Sequence, residues 1–258
     1  MNILFIGDIV GKIGRRMLKE YLPNIRKEHH IDLVIANGEN VTHGKGLSSN
    51  HYKELIEDGV DCITMGNHHF RVKEILEHPE RYPLMIRPAN FSKYVPGSGT
   101  IVFSVKGKTV RITNIIGKVF IDGADANPFQ TLDEIVASSS EDIHIVDFHA
   151  EASAEKIAMA MAFDGKITAL LGTHTHVQTN DPRFLSKGTF ELTDVGMCGG
   201  SQTIIGVNKE EVIYKNFSGI PQMFQLPSDG IGQCNSILLK ISEETNKVTN
   251  FEFINVYE

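Results

Sequence analysis

The sequence predicts an α/β protein in which two mixed sheets pack as a sandwich, and three observations carry that reading. Short apolar runs that stop at glycine, NILFIG (2–7), DLVIANG (32–38) and DCITMG (61–66), have the unbroken hydrophobicity of strands covered on both faces. Helical patterns follow several of them, and alternation of strand and helix argues for parallel pairing. The last third differs: IPQMFQL (220–226), NSILLKIS (235–242) and VTNFEFINVY (248–257) crowd together and read as antiparallel strands.

The elements follow in order. Residues 13–29 read as a helix with Met17, Leu18, Tyr21 and Leu22 on one side, and Pro23 should kink or divide it. Further helices are expected near 50–58 and 70–78, before a short strand at 84–90. A hairpin pairs TIVFSV with TVRITNI around KGK (106–108). Then come helix 131–140, strand 143–148, the alanine-rich helix 153–164, and strands 167–172 and 189–196. No linker, repeat or low-complexity segment interrupts the 258 residues, so one domain spanning 1–258 is expected.

Composition narrows the function classes. The chain has 41% hydrophobic residues, enough to bury a core without disulfides or structural metal. Its formal charge is −7 with no dense basic run, which argues against binding duplex nucleic acid or a membrane surface. No apolar run reaches the ~18 residues needed to span a bilayer. The N-terminus lacks the basic region and cleavage site of a signal peptide. Three scattered cysteines, Cys62, Cys198 and Cys234, form no CxxC pair and suit a reducing cytoplasm. A homo-oligomer, dimer or tetramer, is left open.

The chemistry sits at strand ends, where open α/β sheets bind ligands. Asp8 follows the first apolar run, Glu39 and Asn40 the second, and Asn67, His68 and His69 the third. His149 closes HIVDF, and His174 and His176 follow TALLG. Each piece has a blander reading. Asp8 alone suggests a helix cap, GNHH an ordinary turn, and His149 a core histidine. In GTHTHV, alternation along an extended segment would place His174 and His176 on one side. Together, carboxylates, amides and imidazoles from five strands exceed the roughly three ligands of a single open metal site and suit two metals. Either Asp8 or Glu39 could bridge them. Mixed nitrogen and oxygen donors favour Fe, Mn, Zn or Co over Mg or Ca. Such a site keeps a small, focused positive charge, which lets an acidic protein hold a phosphate. The remaining histidines, His29, His30, His43, His51, His78 and His144, read as solvated; His43 is a candidate exception because its loop follows Glu39.

The order GD (7–8), GEN (38–40), GNHH (66–69), DFHAE (147–151) and GTHTHV (172–177) resembles the calcineurin-like metallophosphoesterases. With RPANF (87–91), THVQT (175–179) and TDVGM (193–197), it is similar to their YmdB-like branch of 2′,3′-cyclic-nucleotide phosphodiesterases. Two departures from the wider superfamily, Val10 where a histidine is usual and Glu39-Asn40 in place of the second aspartate, are shared by that branch. The resemblance implies a four-layer α/β/β/α sandwich with two divalent or mixed-valence transition-metal ions, iron favoured over manganese or zinc. Asp8, Glu39, Asn40 and His176 would hold one metal. Glu39, Asn67, His149 and His174 would hold the other, with Glu39 bridging and His68 as proton donor. The reaction expected is attack of a metal-bridging hydroxide on a small phosphodiester, such as a 2′,3′-cyclic or 3′,5′-cyclic nucleoside monophosphate. Asp147, Glu151 and Asp194 are candidates to orient imidazoles, though a purely structural role is favoured for each. Arg71 and Arg87 are candidate phosphate contacts.

Rival readings come from other classes. GDIVGK fails as a P-loop in spacing and in Ile13, and no GxSxG nucleophile is present. A metal-dependent amidohydrolase on a TIM barrel would explain an HxH pair, but that pair falls after a late strand here. A regulatory protein that binds a nucleotide and turns it over slowly is the third reading.

Overall fold

A computed structural model describes residues 1–258, and its elements alternate much as the sequence predicts. The chain opens with β1 (Asn2–Ile9), α1 (Gly11–Glu28), β2 (Leu33–Asn37), α2 (Ser49–Glu57) and β3 (Cys62–Thr64). After a 3-10 turn at His69–Arg71 come the short α3 (Glu74–Glu77) and β4 (Met85–Ile86). The hairpin β5 (Thr100–Val105) and β6 (Lys108–Ile116) precedes α4 (Pro128–Ala137), β7 (Ile143–His149) and α5 (Ser153–Ala162). Next are β8 (Ala169–Thr173), β9 (Arg183–Phe184), β10 (Phe190–Leu192), β11 (Met197–Gly200) and α6 (Lys209–Ser218). The chain closes with β12 (Gly232–Cys234), β13 (Ser236–Ile241), β14 (Val248–Phe253) and β15 (Val256–Tyr257).

These strands form two mixed sheets. One is ordered β15-β12-β11-β1-β2-β3-β4, with β13 also paired to β1 and β14 beyond it; the other runs β5-β6-β7-β8-β10-β9. Three apolar clusters define four layers. Ile3, Phe5, Ile35, Ile112, Ile145 and Leu171 belong to the cluster between the sheets. Leu4, Ile6, Met17, Leu18 and Leu55 pack the helices on the first sheet, and Leu132, Val146, Met159 and Leu170 pack those on the second. Each sheet is thus covered on both faces, as its unbroken apolar strands require.

Several expectations need correcting. Pro23 lies inside α1 without dividing it. The one hydrogen bond it cannot make costs less than the burial of Met17, Leu18 and Leu22 on the same helix returns. The helix expected at 70–78 is broken into two short turns, and the strand at 84–90 shrinks to two residues. The helix expected at 131–140 starts at Pro128, where the Asn127 side chain caps it by accepting from the amides of Phe129 and Gln130. The run at 189–196 is not one strand: it leaves the second sheet after Leu192 and enters the first at Met197. The run at 220–226 is no strand either, but an extended strap after α6, which the pattern did not reveal. Pro221 lacks an N–H, and most of these side chains are exposed, so neither a ladder nor a buried face holds the run in a sheet. The two-sheet architecture also removes the TIM-barrel amidohydrolase from consideration.

Among the histidines read as solvated, His30, His43 and His78 are exposed, while His51 is half-buried against the Thr42 hydroxyl at 2.8 Å. His144 breaks the expectation outright. It is buried on β7 with Nε2 2.8 Å from Thr113 Oγ1, because both faces of that strand are covered.

His144 makes stability pH-dependent with a definite sign. Burial, reinforced by the Arg111 charge, pushes its pKa down to about 4, whereas an unfolded chain protonates histidine near 6.5. The unfolded state therefore binds the extra proton between those values, and stability falls as pH drops through that window. His144→Gln should remove this loss, on the order of 3 kcal/mol. Urea midpoints of the variant relative to wild type should rise steadily from pH 6.5 to pH 4.

Candidate metal centre

A bulge aims the first carboxylate. Along β1, Leu4 and Ile6 face the helices while Ile3 and Phe5 face the other sheet. The register against β2 shifts between Ile6 and Asp8, so after Gly7 the parity reverses: Ile9 faces the helices and Asp8 the seam between the sheets. Only glycine fits at position 7, since a Cβ there would lie 2.0 Å from the Gly196 carbonyl oxygen.

The other groups converge on that seam from both sheets. Glu39 and Asn40 follow β2, and Asn67 and His68 follow β3, all on the first sheet. His149 ends β7, and His174 and His176 follow β8, on the second. The two histidines do not lie on an extended segment as alternation suggested. His174 and His176 have φ of 103° and 64°, in the left-handed region that few non-glycine residues occupy. Such strain persists only where surrounding contacts impose it. A buried ion pair does so here. Lys156 Nζ donates to Asp194 Oδ2 and to the Thr173 carbonyl, both at 2.9 Å, and Asp194 accepts from the Thr175 and Gly196 amides.

The seven residues assigned as ligands and His68 all meet. Glu39 Oε1 lies 3.3 Å from His149 Nε2, which is 3.1 Å from both Asn67 Oδ1 and His174 Nδ1. Ligand atoms of Glu39, His149 and His174 all fall within 4.8 Å of one another. On the other flank, His176 Nε2 lies 3.1 Å from Asn40 Nδ2 and 3.7 Å from Asp8 Oδ1. Glu39 borders both groups, for Asn40 Nδ2 lies 3.3 Å from its Oε1. His68 stands at the rim, its Nδ1 2.7 Å from Asn40 Oδ1 and its amide donating to Glu39 Oε2. Gly66 leaves the cluster its space: a Cβ there would come within 2.4 Å of His149 Nε2.

Each imidazole is turned the same way. His149 Nδ1 donates to Thr173 Oγ1 at 2.8 Å, and that hydroxyl donates onward to Asp147 Oδ1 at 2.7 Å. His176 Nδ1 donates to the Ile205 carbonyl at 2.8 Å, and His174 Nε2 lies 3.1 Å from Glu151 Oε2. Every ring thus spends one N–H on an oxygen outside the cluster and directs its other nitrogen inward, the arrangement that fixes histidine as a metal ligand.

The electrostatics match a cation site. Asp8 Oδ1 is buried without a hydrogen-bond partner, among imidazoles that can only approach it at 3.7–3.9 Å. Burial raises the Asp8 pKa against the pull of His176 and His149. Burial also opposes charge on Glu39, but His149 and His68 outweigh it and hold its pKa well below the usual range. His149 in turn is desolvated, yet Glu39, Asp8 and Asp147 lift it to about 9. His174, half-buried, is pushed down to about 3 by desolvation and by the charge of His149. Two sealed carboxylates are thus answered in this structure by imidazoles alone. These residues fit a pair of divalent cations, which would take Asp8, Glu39, Asn40 and His176 on one side and Glu39, Asn67, His149 and His174 on the other. For that role the Asn40 amide would turn over from its present orientation, in which Nδ2 faces Glu39 and His176, because an amide nitrogen cannot ligate.

With this geometry in place, comparison with known proteins is decisive. The YmdB-like protein family matches residues 4–254. The chain belongs to the YmdB-like family. A Bacillus subtilis relative named 2′,3′-cyclic-nucleotide 2′-phosphodiesterase is 41% identical over 98% of this chain and 96% of its own. A Mycoplasma pneumoniae crystal structure described as a novel phosphatase superposes with a TM-score of 0.92 at 39% identity, covering 100% of this chain and 94% of that one. A crystal structure described as a hypothetical protein from Thermus thermophilus gives 0.93 at 37%, with both chains covered completely. This YmdB-like chain is accordingly a phosphoester hydrolase with the four-layer metallophosphoesterase fold.

Other candidates fall outside the cluster. His69 is fully buried with neither ring nitrogen bonded, packed against Phe70 and Phe91. Arg71 is exposed, and Arg87 is buried with its guanidinium on the Pro88 carbonyl. His43 is exposed in its loop and stacks edge-on to His51. Sequence reading missed Asn37, whose amide joins the sheets by donating to Asp147, and whose oxygen accepts from the Glu39 amide. It also missed Thr173 and Lys156. Thr173 adjoins the HxH pair and so carried a signal; a lysine in an alanine-rich helix carried none.

Thr173→Val keeps the shape of that relay and deletes its hydroxyl, so His149 Nδ1 loses its acceptor and Asp147 Oδ1 its donor. Metal affinity should fall ~10–100-fold, read by competition against a chelator, while the thermal midpoint of the metal-free protein changes far less than for a core deletion.

Proposed function

We propose that this protein is a dinuclear-metal phosphodiesterase acting on a small cyclic phosphodiester, a 2′,3′-cyclic or 3′,5′-cyclic nucleoside monophosphate, with His68 as proton donor. The observation that carries the reading is the common orientation of His149, His174 and His176 around the buried Asp8 and Glu39 carboxylates. The B. subtilis relative's activity supports the substrate class. Two bound transition-metal cations, with iron favoured over manganese or zinc, would supply a water of lowered pKa and neutralise the equatorial phosphate oxygens.

The chain's own residues do the rest. His68 sits beside the ligand Asn67, with Nδ1–H held by the Glu39 carboxylate at 3.2 Å and its ring partly exposed at the rim. That contact leaves Nε2 as the outward nitrogen. The oxygen of a water that has lost one proton to solvent adds to phosphorus, the bond to the leaving oxygen breaks opposite it, and protonated His68 gives its Nε2 proton to that oxygen. A phosphomonoester and a free hydroxyl result. Without the proton, a strongly basic alkoxide would have to depart. Asp194, Lys156 and Thr173 act earlier, by holding His149, His174 and His176 in place.

Metal-replete protein should contain two transition-metal equivalents per chain and hydrolyse cyclic nucleotides in a phosphoester panel. Chelation should abolish turnover and readdition restore it; fewer than two equivalents under replete conditions would sink the dinuclear reading. His68→Ala should lower kcat ~10²–10⁴-fold with metal content unchanged, and loss of metal in that variant would refute the donor role. Tight nucleotide binding with no appreciable turnover of any phosphodiester would favour the regulatory alternative instead.

A further inference from the structure

A cavity of about 210 Å³ opens beside the ligand cluster, and the hydrolytic chemistry does not account for it. Asn40, His68 and His176 close one end, while Ile205, Val207 and Phe224 form apolar walls. The walls come from the segment between β11 and β12, which is strapped down over the loops after Asp8 and Glu39. Leu226 occupies the space that a Cβ on Gly11 or Gly44 would need. The Asn208 amide donates to the Gln225 carbonyl at 2.8 Å, and the Gln225 amide to Glu211.

The wall nearest the metal centre is strained. Ile204 and Val207 exchange backbone hydrogen bonds at 3.0 and 3.1 Å across a two-residue turn. Its central residues, Ile205 and Gly206, have φ of 49° and 98°. Such a turn favours Asn-Gly, and a β-branched side chain at its first central position is an outlier. Burial does not explain the isoleucine, since it is 53% exposed. Nor does the bond to His176, which uses the backbone carbonyl that any residue would provide. What isoleucine adds is an apolar surface at the mouth of this cavity.

Resting on the cyclic-nucleotide reading above, we propose that this cavity receives the nucleobase, with Ile205 and Phe224 as specificity-determining contacts. His68 belongs to both the cavity and the ligand cluster, so a base seated here leaves its ribose oxygen beside the proton donor. The volume is below the ~300–1,000 Å³ of pockets for larger ligands, which suits one heteroaromatic ring system and not a second nucleotide. The phenyl ring of Phe224 offers a stacking face, and stacking tolerates any base. At the closed end Asn40 and His176 are spent on one another, on His68 and on Ile205, His68 Nε2 is claimed by the leaving oxygen, and Lys45 brings only a flexible point charge, so no fixed donor–acceptor pair reads a base edge.

The test compares two substrates with the same reacting ring, 2′,3′-cyclic AMP and the base-free glycerol 1,2-cyclic phosphate, on metal-replete wild type, Ile205→Asn and Phe224→Ala. The ratio of their kcat/KM values should fall about tenfold in each variant, chiefly through KM for the nucleotide. Ile205→Asn relieves the turn, so its melting temperature should equal or exceed that of wild type, which excludes unfolding as the cause. The four 2′,3′-cyclic nucleotides should react within about tenfold of one another, whereas hydrogen-bond readout of one base would separate them by ~10⁴. A ratio unchanged in both variants overturns the base site while leaving the phosphodiesterase intact, and a hundredfold preference for one base overturns recognition by stacking. Wild type that hydrolyses neither cyclic phosphate overturns the phosphodiesterase reading and this one with it.

Discussion

Two carboxylates with almost no contact with water, Asp8 and Glu39, set the terms for the rest of this molecule. Burying one unpaired carboxylate is costly, and burying two side by side is worse unless cations or donors answer them. The surrounding sequence supplies the answer on every side. A bulge turns Asp8 inward, a glycine at 66 keeps Glu39 and His149 in reach, and His149 is held charged at neutral pH. The cations that would complete the balance displace that proton, so loading and deprotonation are one event.

A shell of neutral and charged acceptors turns the inner imidazoles toward the seam. Asp147 acts through the Thr173 hydroxyl, Glu151 and the Ile205 carbonyl act directly, and the Lys156–Asp194 pair anchors the strained loop that carries both left-handed histidines. A buried lysine beside a buried aspartate is weak evidence of stability, since desolvation consumes much of its attraction. Its value here is positional. It also places the acidic character of the chain in perspective: the net charge of −7 describes the exterior, whereas the seam is organised for positive charge.

Much of this was readable from the chain. Apolar runs ending in glycine marked β1, β2 and β3, and the polar residues just beyond the strands are the groups that meet at the seam. What failed did so for identifiable reasons. His144 sits on a strand covered on both faces, and a single histidine in an apolar run does not reveal whether a threonine on the neighbouring strand will satisfy it. GTHTHV alternates like a strand, but two left-handed residues bend it, and that bend is imposed by Asp194 some twenty residues later. The segment at 220–226 has the composition of a strand and no edge to join. The link from Ile205 to His176 is likewise invisible in sequence, because it runs through a backbone carbonyl.

The pairing of β13 with β1 has a consequence for how the protein is made. Asn2 to Ile6 lie against Ser236 to Lys240, and the N-terminal ammonium donates to the Ile241 carbonyl. β1 therefore waits for a strand made far later along the chain, holding one apolar edge unpaired until β13 arrives. Asp8 is carried on that strand, and the carbonyl that orients His176 comes from residue 205. A nascent chain that has not yet made β13 would expose scattered donors without the geometry to select among metals, so specific loading follows the pairing of β1 with β13.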